Sequence, residues 1–212
     1  MFESVLPKNA QTALALLGNS NPFPSDTYLA GGSALALHFG HRKSVDFDFF
    51  TPTAFDPKKL SESLSLLGSF DEEVAKGISL IGKFQGVKLS CFQYQYSLLK
   101  QPLVHLGVLV AHPNDIAPMK LVAICDRGTK KDFVDIYTMV QNGLTLEDMF
   151  TLYDKKYGLL ESNRYTLCKA LGYLDEADLT DMPEMLISLS WKEVKQFFIA
   201  QAMRLGKQYI EG

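Results

Sequence analysis

The spacing of apolar and polar residues predicts an α+β protein built in two parts. Alternation of apolar and polar positions, which is typical of strands, occurs around Tyr28, around Phe47 and in the segments 70–75, 79–84, 87–96 and 104–111. From residue 114 onward the apolar positions recur every three or four residues, which predicts helices near 114–127, 130–141, 145–156, 162–172 and 190–209, with a loop at 175–183. We therefore expect a small mixed sheet with helices in residues 1–112, followed by a helical region packed on it in residues 113–212.

Helices are also predicted within the first part. Residues 5–17 have a helical pattern, and Pro22 and Pro24 then indicate a loop before the first strand. Asp56 precedes Pro57, which is the combination of an N-cap residue and a proline at the first helical position. The sequence therefore predicts a helix from Pro57 to Leu67 that ends at Gly68.

The stretch from Tyr28 to Pro52 carries the most informative combination of residues. It reads YLAGGSALALHFGHRKSVDFDFFTP, which predicts a strand, a glycine turn, a helix over residues 33–39 and a second strand. Residues i and i+2 of a strand point to the same face, so the carboxylates of Asp46 and Asp48 are expected to project together. Val45, Phe47 and Phe49 are then expected to face the core.

These residue types suit the chemistry of a nucleoside triphosphate. Two carboxylates are hard oxygen ligands for Mg²⁺ or Mn²⁺. Gly31 and Gly32 leave bare backbone at the start of a helix, where N–H groups can approach a phosphate. A D-x-D pair or a G-G-S turn alone is more often structural than functional. Their order along the chain favours phosphoryl or nucleotidyl transfer.

GGSALALHFGHRKSVDFDFF resembles the first motif of the AbiEii/AbiGii-type nucleotidyltransferase toxins, a family within the polymerase-beta-like nucleotidyltransferases. Arg42, Ser44, Asp46 and Asp48 occupy the motif positions. Residues 120–127, KLVAICDR, fit the family's K-x-x-A-x-x-x-R motif, and residues 132–137, DFVDIY, fit its D-x-x-D motif. The resemblance implies a polymerase-beta-like core in residues 1–112 with a helical half after it, and an active cleft between the two.

The resemblance also implies roles for individual residues. Asp46 and Asp48 hold the metal, and the catalytic set is completed by Lys120, Asp132 and Asp135. Lys120 is a triphosphate ligand, and Asp132 or Asp135 is a base or a support for Lys120. The substrate-binding residues implied are Gly31, Gly32, Ser33, Arg42, Ser44, Lys120 and Arg127. NTP is then the substrate, tRNA the expected acceptor, and a separate antitoxin protein a candidate partner.

The later segments also have a reading from the residues alone. Asp115 can cap a helix on which Lys120 and Arg127 fall near one side, and Asp132 and Asp135 share a face at a spacing of three residues. The alternative is a pair of surface helices with exposed ion pairs, each worth about 0–1 kcal/mol.

The predicted sheet lacks an evident third carboxylate. Many polymerase-beta-like enzymes have a third carboxylate on a later strand, whereas the candidate strand at 86–96, GVKLSCFQYQY, has no acid and offers only Ser90, Gln93 and Gln95 as polar residues. Asp135, or secondly Asp132, is the expected substitute. The alternatives are a degenerate nucleotide-binding protein of the same fold and a purely structural partner.

Composition bounds the remaining classes. The chain has 212 residues, 47% of them apolar, enough for a sizeable core. It has no run of about 18 apolar residues and no basic N-terminal region before an apolar stretch, so we expect a cytoplasmic protein with no membrane partner. Cys91, Cys125 and Cys168 are expected to be buried, reduced thiols. A net charge of −3 argues against an extended nucleic-acid surface, although the basic residues at 41–43, 130–131 and 155–156 permit a local one.

Overall fold

The computed structural model describes residues 1–158 and 161–210, and the chain divides into two compact units, Met1–His112 and Pro113–Gly212. The first unit contains a seven-stranded sheet and the second is helical. In the described residues, no helix is both long enough and apolar enough to span a membrane.

The sheet of the first unit is mixed. Its strands are β1 (Tyr28–Ala30), β2 (Phe47–Thr51), β3 (Phe70–Lys76), β4 (Ser79–Phe84), β5 (Val87–Gln93), β6 (Leu103–His105) and β7 (Val108–Val110). Their order across the sheet is β3-β4-β5-β2-β1-β7-β6. β2 pairs in parallel with β5, and β1 with β7, while the other four neighbouring pairs are antiparallel. The predicted mixed sheet is confirmed.

Three α-helices accompany this sheet. They are α1 (Lys8–Ser20), α2 (Gly31–Phe39) and α3 (Pro57–Leu67), and a short 3₁₀ turn at Glu3–Val5 precedes them. The start of α3 follows the sequence prediction, because Asp56 Oδ1 accepts a hydrogen bond of 2.9 Å from the Lys58 N–H. The N-terminal helix begins at Lys8 rather than at residue 5, because Pro7 occupies its N-cap position.

The two faces of the sheet differ. Leu29, Phe47, Phe49 and Leu89 alternate with the residues of the other face and are buried, and α1 and α2 contact the strands that carry them. We call the opposite face the open face. It carries Asp48, Phe50, Ser90, Phe92 and Leu109, most of which are only half-buried.

One strand prediction in this unit is wrong. Residues 104–111 do not form a single strand. They span the hairpin formed by β6 and β7, which has its turn at Leu106 and Gly107. Both turn residues have positive φ, 48° and 80° respectively, as a tight turn between twisted antiparallel strands requires. Leucine rarely adopts this conformation, so the sequence gives little warning of the turn.

The second unit consists of helices. They are α4 (Pro113–Asp126), α5 (Lys130–Gln141), α6 (Leu146–Tyr157), α7 (Glu161–Gly172), the short α8 (Asp175–Asp178) and α9 (Trp191–Ile210). Thr145 and Asp148 form a reciprocal capping box at the start of α6. The Phe133 and Phe198 rings join α5 to α9 with centroids 4.9 Å apart. The predicted loop at 175–183 contains the short helix α8.

Two expectations about polar residues in this unit are wrong. Asp115 does not cap α4: it is the third residue of that helix, is fully buried, and accepts a hydrogen bond of 2.9 Å from Lys156 Nζ. Lys156 is consequently buried and does not form part of a basic surface with Lys155.

Of the three cysteines, Cys125 is exposed, whereas Cys91 and Cys168 are buried as expected. Burial raises the pKa of Cys91 to about 12.

Candidate active site

The candidate phosphate cradle lies where β1 leads directly into α2. The helix begins at Gly31, two residues earlier than predicted, and Gly31 has a φ of +66°. A Cβ at this position would lie 2.7 Å from Asp48 Oδ2, so only glycine fits without displacing the carboxylate. The N-cap residue is Ala30, whose side chain cannot accept from the first N–H groups of the helix. A helix start and a carboxylate therefore lie side by side.

Buried polar side chains pack against the start of α2 and hold the cradle in place. The Arg42 guanidinium lies so close to Gly32 that a Cβ there would collide with it. Arg42 Nη1 also donates to the Lys43 carbonyl at 2.9 Å. Ser33 Oγ lies 2.9 Å from Ser44 Oγ and donates to the carbonyl of Asp46. Because these hydroxyls are buried, their contacts fix α2 to the segment that carries Asp46.

Asp46 and Asp48 are half-buried, but only Asp48 lies on β2, since the strand begins at Phe47. The expectation that Val45 faces the core is wrong: it precedes the strand and is 53% exposed. Of the basic residues at 41–43, His41 and Arg42 are buried.

The neighbours of Asp48 in the sheet are Ala30 on β1 and Ser90 on β5. Ser90 is buried beside Asp48, on the later strand that has no acid. Among the described residues, no three His, Cys, Asp or Glu side chains come together as a metal-binding group. Mg²⁺ is commonly held by one or two carboxylates together with substrate phosphates and water. The two half-buried carboxylates fit Mg²⁺ or Mn²⁺ that binds together with an NTP.

A second cluster of motif residues lies within the helical unit. Lys120 Nζ on α4 is 3.1 Å from Asp132 Oδ1 and 2.6 Å from Asp135 Oδ2, both on α5. The two acids are fully buried and Lys120 nearly so. The alternative of exposed ion pairs on surface helices is therefore wrong for these three residues. Arg127 differs, because its side chain is 56% exposed.

Asp132 is the most heavily bonded residue of this cluster. Arg127 donates to it through Nε at 3.0 Å and Nη2 at 3.1 Å, and Thr129 Oγ1 donates at 2.6 Å. Burial alone would raise the pKa of Asp132, but the hydrogen bond from Arg127, the charge of Lys120 and the hydrogen bond from Thr129 together lower it below the usual range. A carboxylate so held is a poor proton acceptor and a good support for Lys120.

Thr129 was not among the residues selected from the sequence. It is the N-cap residue of α5, and its hydroxyl bonds to the Asp132 carboxylate three residues later. The T-x-x-D spacing at a helix start is the signal that could have identified it.

Solved structures of other proteins share this fold. Structural comparison finds a similar fold in JHP933 from Helicobacter pylori, with a TM-score of 0.57 and 16% identity, covering 97% of this chain and 95% of that one. MenT4, a nucleotidyltransferase toxin from Mycobacterium tuberculosis H37Rv, has a TM-score of 0.52 and 14% identity, covering 97% and 88%.

Sequence comparison then gives the family. The model of the AbiEii nucleotidyl transferase toxins of type IV toxin–antitoxin systems matches residues 15–106 and 93–207. An uncharacterized protein of Aquifex aeolicus (strain VF5) is 38% identical over 192 residues, which is 88% of this chain and 89% of that protein. The chain belongs to the AbiEii nucleotidyltransferase toxin family, and the predicted family and fold are confirmed.

Proposed function

We propose that this protein is a metal-dependent nucleotidyltransferase that moves an NMP from an NTP to a hydroxyl of a macromolecule. The observation that carries the proposal is the contact between the Asp48 carboxylate and the start of α2 at Gly31. It places a metal-binding oxygen beside backbone N–H groups suited to phosphate. Family membership supports the class of reaction.

Within this proposal the residues of the first unit divide into two groups. The N–H groups at Gly31 and Gly32 bind the phosphates, and Asp46 and Asp48 hold Mg²⁺ or Mn²⁺, which when bound neutralises charge on the triphosphate. Ser33, Ser44 and Arg42 position these groups, because each is buried and bonded to the surrounding chain.

The family resemblance assigns Lys120 and Arg127 to the triphosphate. Lys120 Nζ is engaged by two carboxylates, so a phosphate that binds it must share the ammonium group with them. The larger exposure of Arg127 makes it the more accessible cation of the cluster.

The transfer itself exchanges one phosphorus–oxygen bond for another. The acceptor oxygen bonds to the α-phosphorus, the bond to the bridging oxygen breaks, and pyrophosphate leaves. Asp135 is our preferred acceptor for the hydroxyl proton, because the contacts that lower the pKa of Asp132 make Asp132 a weak base.

The proposal includes tRNA as the acceptor and an antitoxin protein as a partner. Membership of a type IV toxin–antitoxin family supports the second of these. Since the reaction consumes NTP and modifies tRNA, the proposed site of action is the cytoplasm.

A second candidate is a nucleotide-binding protein of the same fold without turnover. The position of Ser90 favours this second candidate, because Ser90 on β5 places a neutral hydroxyl in register with Asp48. A hydroxyl is a weaker metal ligand and proton acceptor than a carboxylate. Binding of Mg·NTP without transfer is what this candidate predicts.

The experiment is a labelling assay. Purified protein is incubated with Mg²⁺, total cellular RNA and each of the four NTPs labelled at the α-phosphate. The test variant is Asp46→Ala/Asp48→Ala, and Asp71→Ala/Glu73→Ala is the control, because it removes the same charge from exposed positions of β3. Label on RNA that is lost only in the test variant supports transfer. Mg·NTP binding without label supports the second candidate, and no binding contradicts both.

A further inference from the structure

The open face carries a row of aromatic rings next to the carboxylates. Ala30, Asp48 and Ser90 lie opposite one another on β1, β2 and β5. Two residues away along each of these strands, Tyr28, Phe50 and Phe92 also lie opposite one another. We call these three residues the aromatic row. Ring centroids are 6.1 Å apart for Tyr28 and Phe50 and 5.8 Å for Phe50 and Phe92. Two residues along a strand span about 6.6–6.8 Å, so the row lies about that far along the sheet from the register of Asp48.

The aromatic row continues past the end of β5. The Tyr94 centroid is 5.3 Å from that of Phe50, and the Tyr96 centroid is 5.1 Å from that of Tyr94. Tyr28 is buried, but Phe50, Phe92, Tyr94 and Tyr96 are half-exposed. The helix-covered core uses the opposite face of the same strands, where Phe47 and Phe49 are fully buried. The core therefore does not account for the rings on the open face.

A hollow of about 730 Å³ extends the row across the sheet. Its floor includes Leu109, in register with Tyr28, and Val104, in register with Leu109. Its walls come from residues 98–102, with Asp26 and Lys100 as the charged residues that line it. This volume lies within the range of about 300–1,000 Å³ found for small-molecule binding sites.

The row and the phosphate cradle lie on opposite sides of Asp48 along the strands. β1 runs from Tyr28 in the row, through Ala30 in register with Asp48, to the cradle at Gly31. The cradle side of the open face also carries Lys83 and Lys88, an exposed cross-strand pair. Asp71 on β3 lies in register with Lys83 and balances part of this charge. The open face thus has the phosphate cradle on one side of the Asp48 carboxylate and aromatic rings on the other.

This division matches the two ends of a nucleotidyl transfer. The attacking and leaving oxygens lie roughly in line on either side of the transferred phosphorus. With the triphosphate on the cradle side, pyrophosphate leaves in that direction and the acceptor hydroxyl approaches from the aromatic row. A single NTP base needs one ring for stacking, whereas a series of rings suits successive bases of one strand.

We propose that the aromatic row and the adjoining hollow bind the single-stranded end of an RNA acceptor by stacking on its bases. This inference rests on the proposed function, which supplies the direction of transfer. It narrows the acceptor to a nucleic acid with an unpaired end and assigns Phe50, Phe92 and Tyr94 to it. These residues hold the acceptor hydroxyl near Asp48 without taking part in the bond exchange.

The test measures RNA binding without NTP, so that it does not depend on turnover. A short fluorescent single-stranded RNA and its blunt duplex are titrated with wild-type protein, Phe92→Leu and Phe50→Leu, and fluorescence anisotropy gives each Kd. Phe92→Tyr and Phe50→Tyr are the matched controls, because they keep the ring. The midpoint of urea unfolding confirms that each variant is folded, and Mg·NTP affinity is measured in parallel.

We expect each leucine variant to weaken single-stranded RNA binding about tenfold, since stacking on one aromatic side chain is worth about 1–3 kcal/mol per base. The tyrosine variants keep the affinity, the duplex binds more weakly than the single strand, and Mg·NTP affinity is unchanged. Equal RNA binding by wild type and both leucine variants overturns the inference, as does no RNA binding by the wild type. Loss of Mg·NTP affinity alone would assign the row to the base of the donor. RNA binding that follows this pattern without any transfer supports the inference and contradicts only the proposed activity.

Discussion

The chain has two pairs of motif carboxylates, and their surroundings differ. Asp46 and Asp48 are half-buried at the start of β2, next to the backbone of α2. Asp132 and Asp135 are fully buried in the helical unit and bonded to Lys120, and Asp132 also to Arg127 and Thr129. A half-buried carboxylate can exchange water for a metal ion, whereas a buried one must be paired to be tolerated. The first pair is therefore suited to binding a metal ion, and Asp132 of the second pair to holding Lys120 and Arg127 in place.

The largest expected effect is on activity, in the Asp48→Asn variant. Asparagine keeps the shape but removes the charge that a metal requires, so we expect transfer to fall by about 10³-fold, corresponding to several kcal/mol of transition-state stabilisation. Because Asp48 is half-buried, the free energy of unfolding should change by less than about 1 kcal/mol. Initial rates and urea unfolding measure the two quantities.

Asp71→Asn is the control for this variant, since Asp71 is an exposed acid on β3. It should leave both the rate and the stability unchanged. If Asp48→Asn instead unfolds the protein and Asp71→Asn does not, Asp48 is structural and the contrast between the two acidic pairs is lost.

The next effect concerns the buried cations. Lys120→Met and Lys156→Met each replace a buried lysine with an uncharged side chain of similar length. Each thereby removes an ammonium group that is paired with a buried carboxylate. Leaving a buried carboxylate without its cation typically costs about 3–5 kcal/mol, so both variants should lose about 3 kcal/mol or more of unfolding free energy. Urea unfolding measures the loss.

The same two variants should differ in nucleotide binding. Only Lys120 belongs to a family motif, so Lys120→Met should weaken Mg·NTP binding and Lys156→Met should not, each assayed where the variant is still folded. Equal affinity in the two variants would contradict the triphosphate role of Lys120 and leave it as a structural ion pair.

The sequence predicted these elements unequally, for physical reasons. Helix α5 has the bounds expected from its apolar spacing, and Asp56 caps α3 as expected, because both depend on local interactions. The pairing of Asp115 with Lys156 joins residues 41 positions apart, and local patterns carry no information about it. The same holds for the support of Asp46 by Ser33, which depends on how α2 packs beside β2.

The candidate site shows the same division. The order of G-G-S and D-x-D along the chain predicted Gly31 and Asp48 as candidates, and the structure places them side by side. The aromatic row could not be read from the sequence, because Tyr28, Phe50 and Phe92 become neighbours only through the register of three strands that are distant along the chain.

The smallest effect we expect is the contribution of Asp132 to the pH dependence of stability. The folded pKa of Asp132 lies below its unfolded value of about 3.8, so its stabilisation is present above that pH and is lost as pH falls toward the folded pKa. If the folded pKa lies below the range tested, the loss is about 0.4 kcal/mol at pH 3.8 and about 1.2 kcal/mol at pH 3. Urea unfolding of wild type and Asp132→Asn between pH 3 and pH 7 isolates this contribution, because the other acids are common to both proteins. The difference in unfolding free energy between them should shrink in acid by these amounts. A difference that stays constant down to pH 3 would mean that Asp132 titrates alike in the folded and unfolded chain, and that its hydrogen bonds do not favour the carboxylate form.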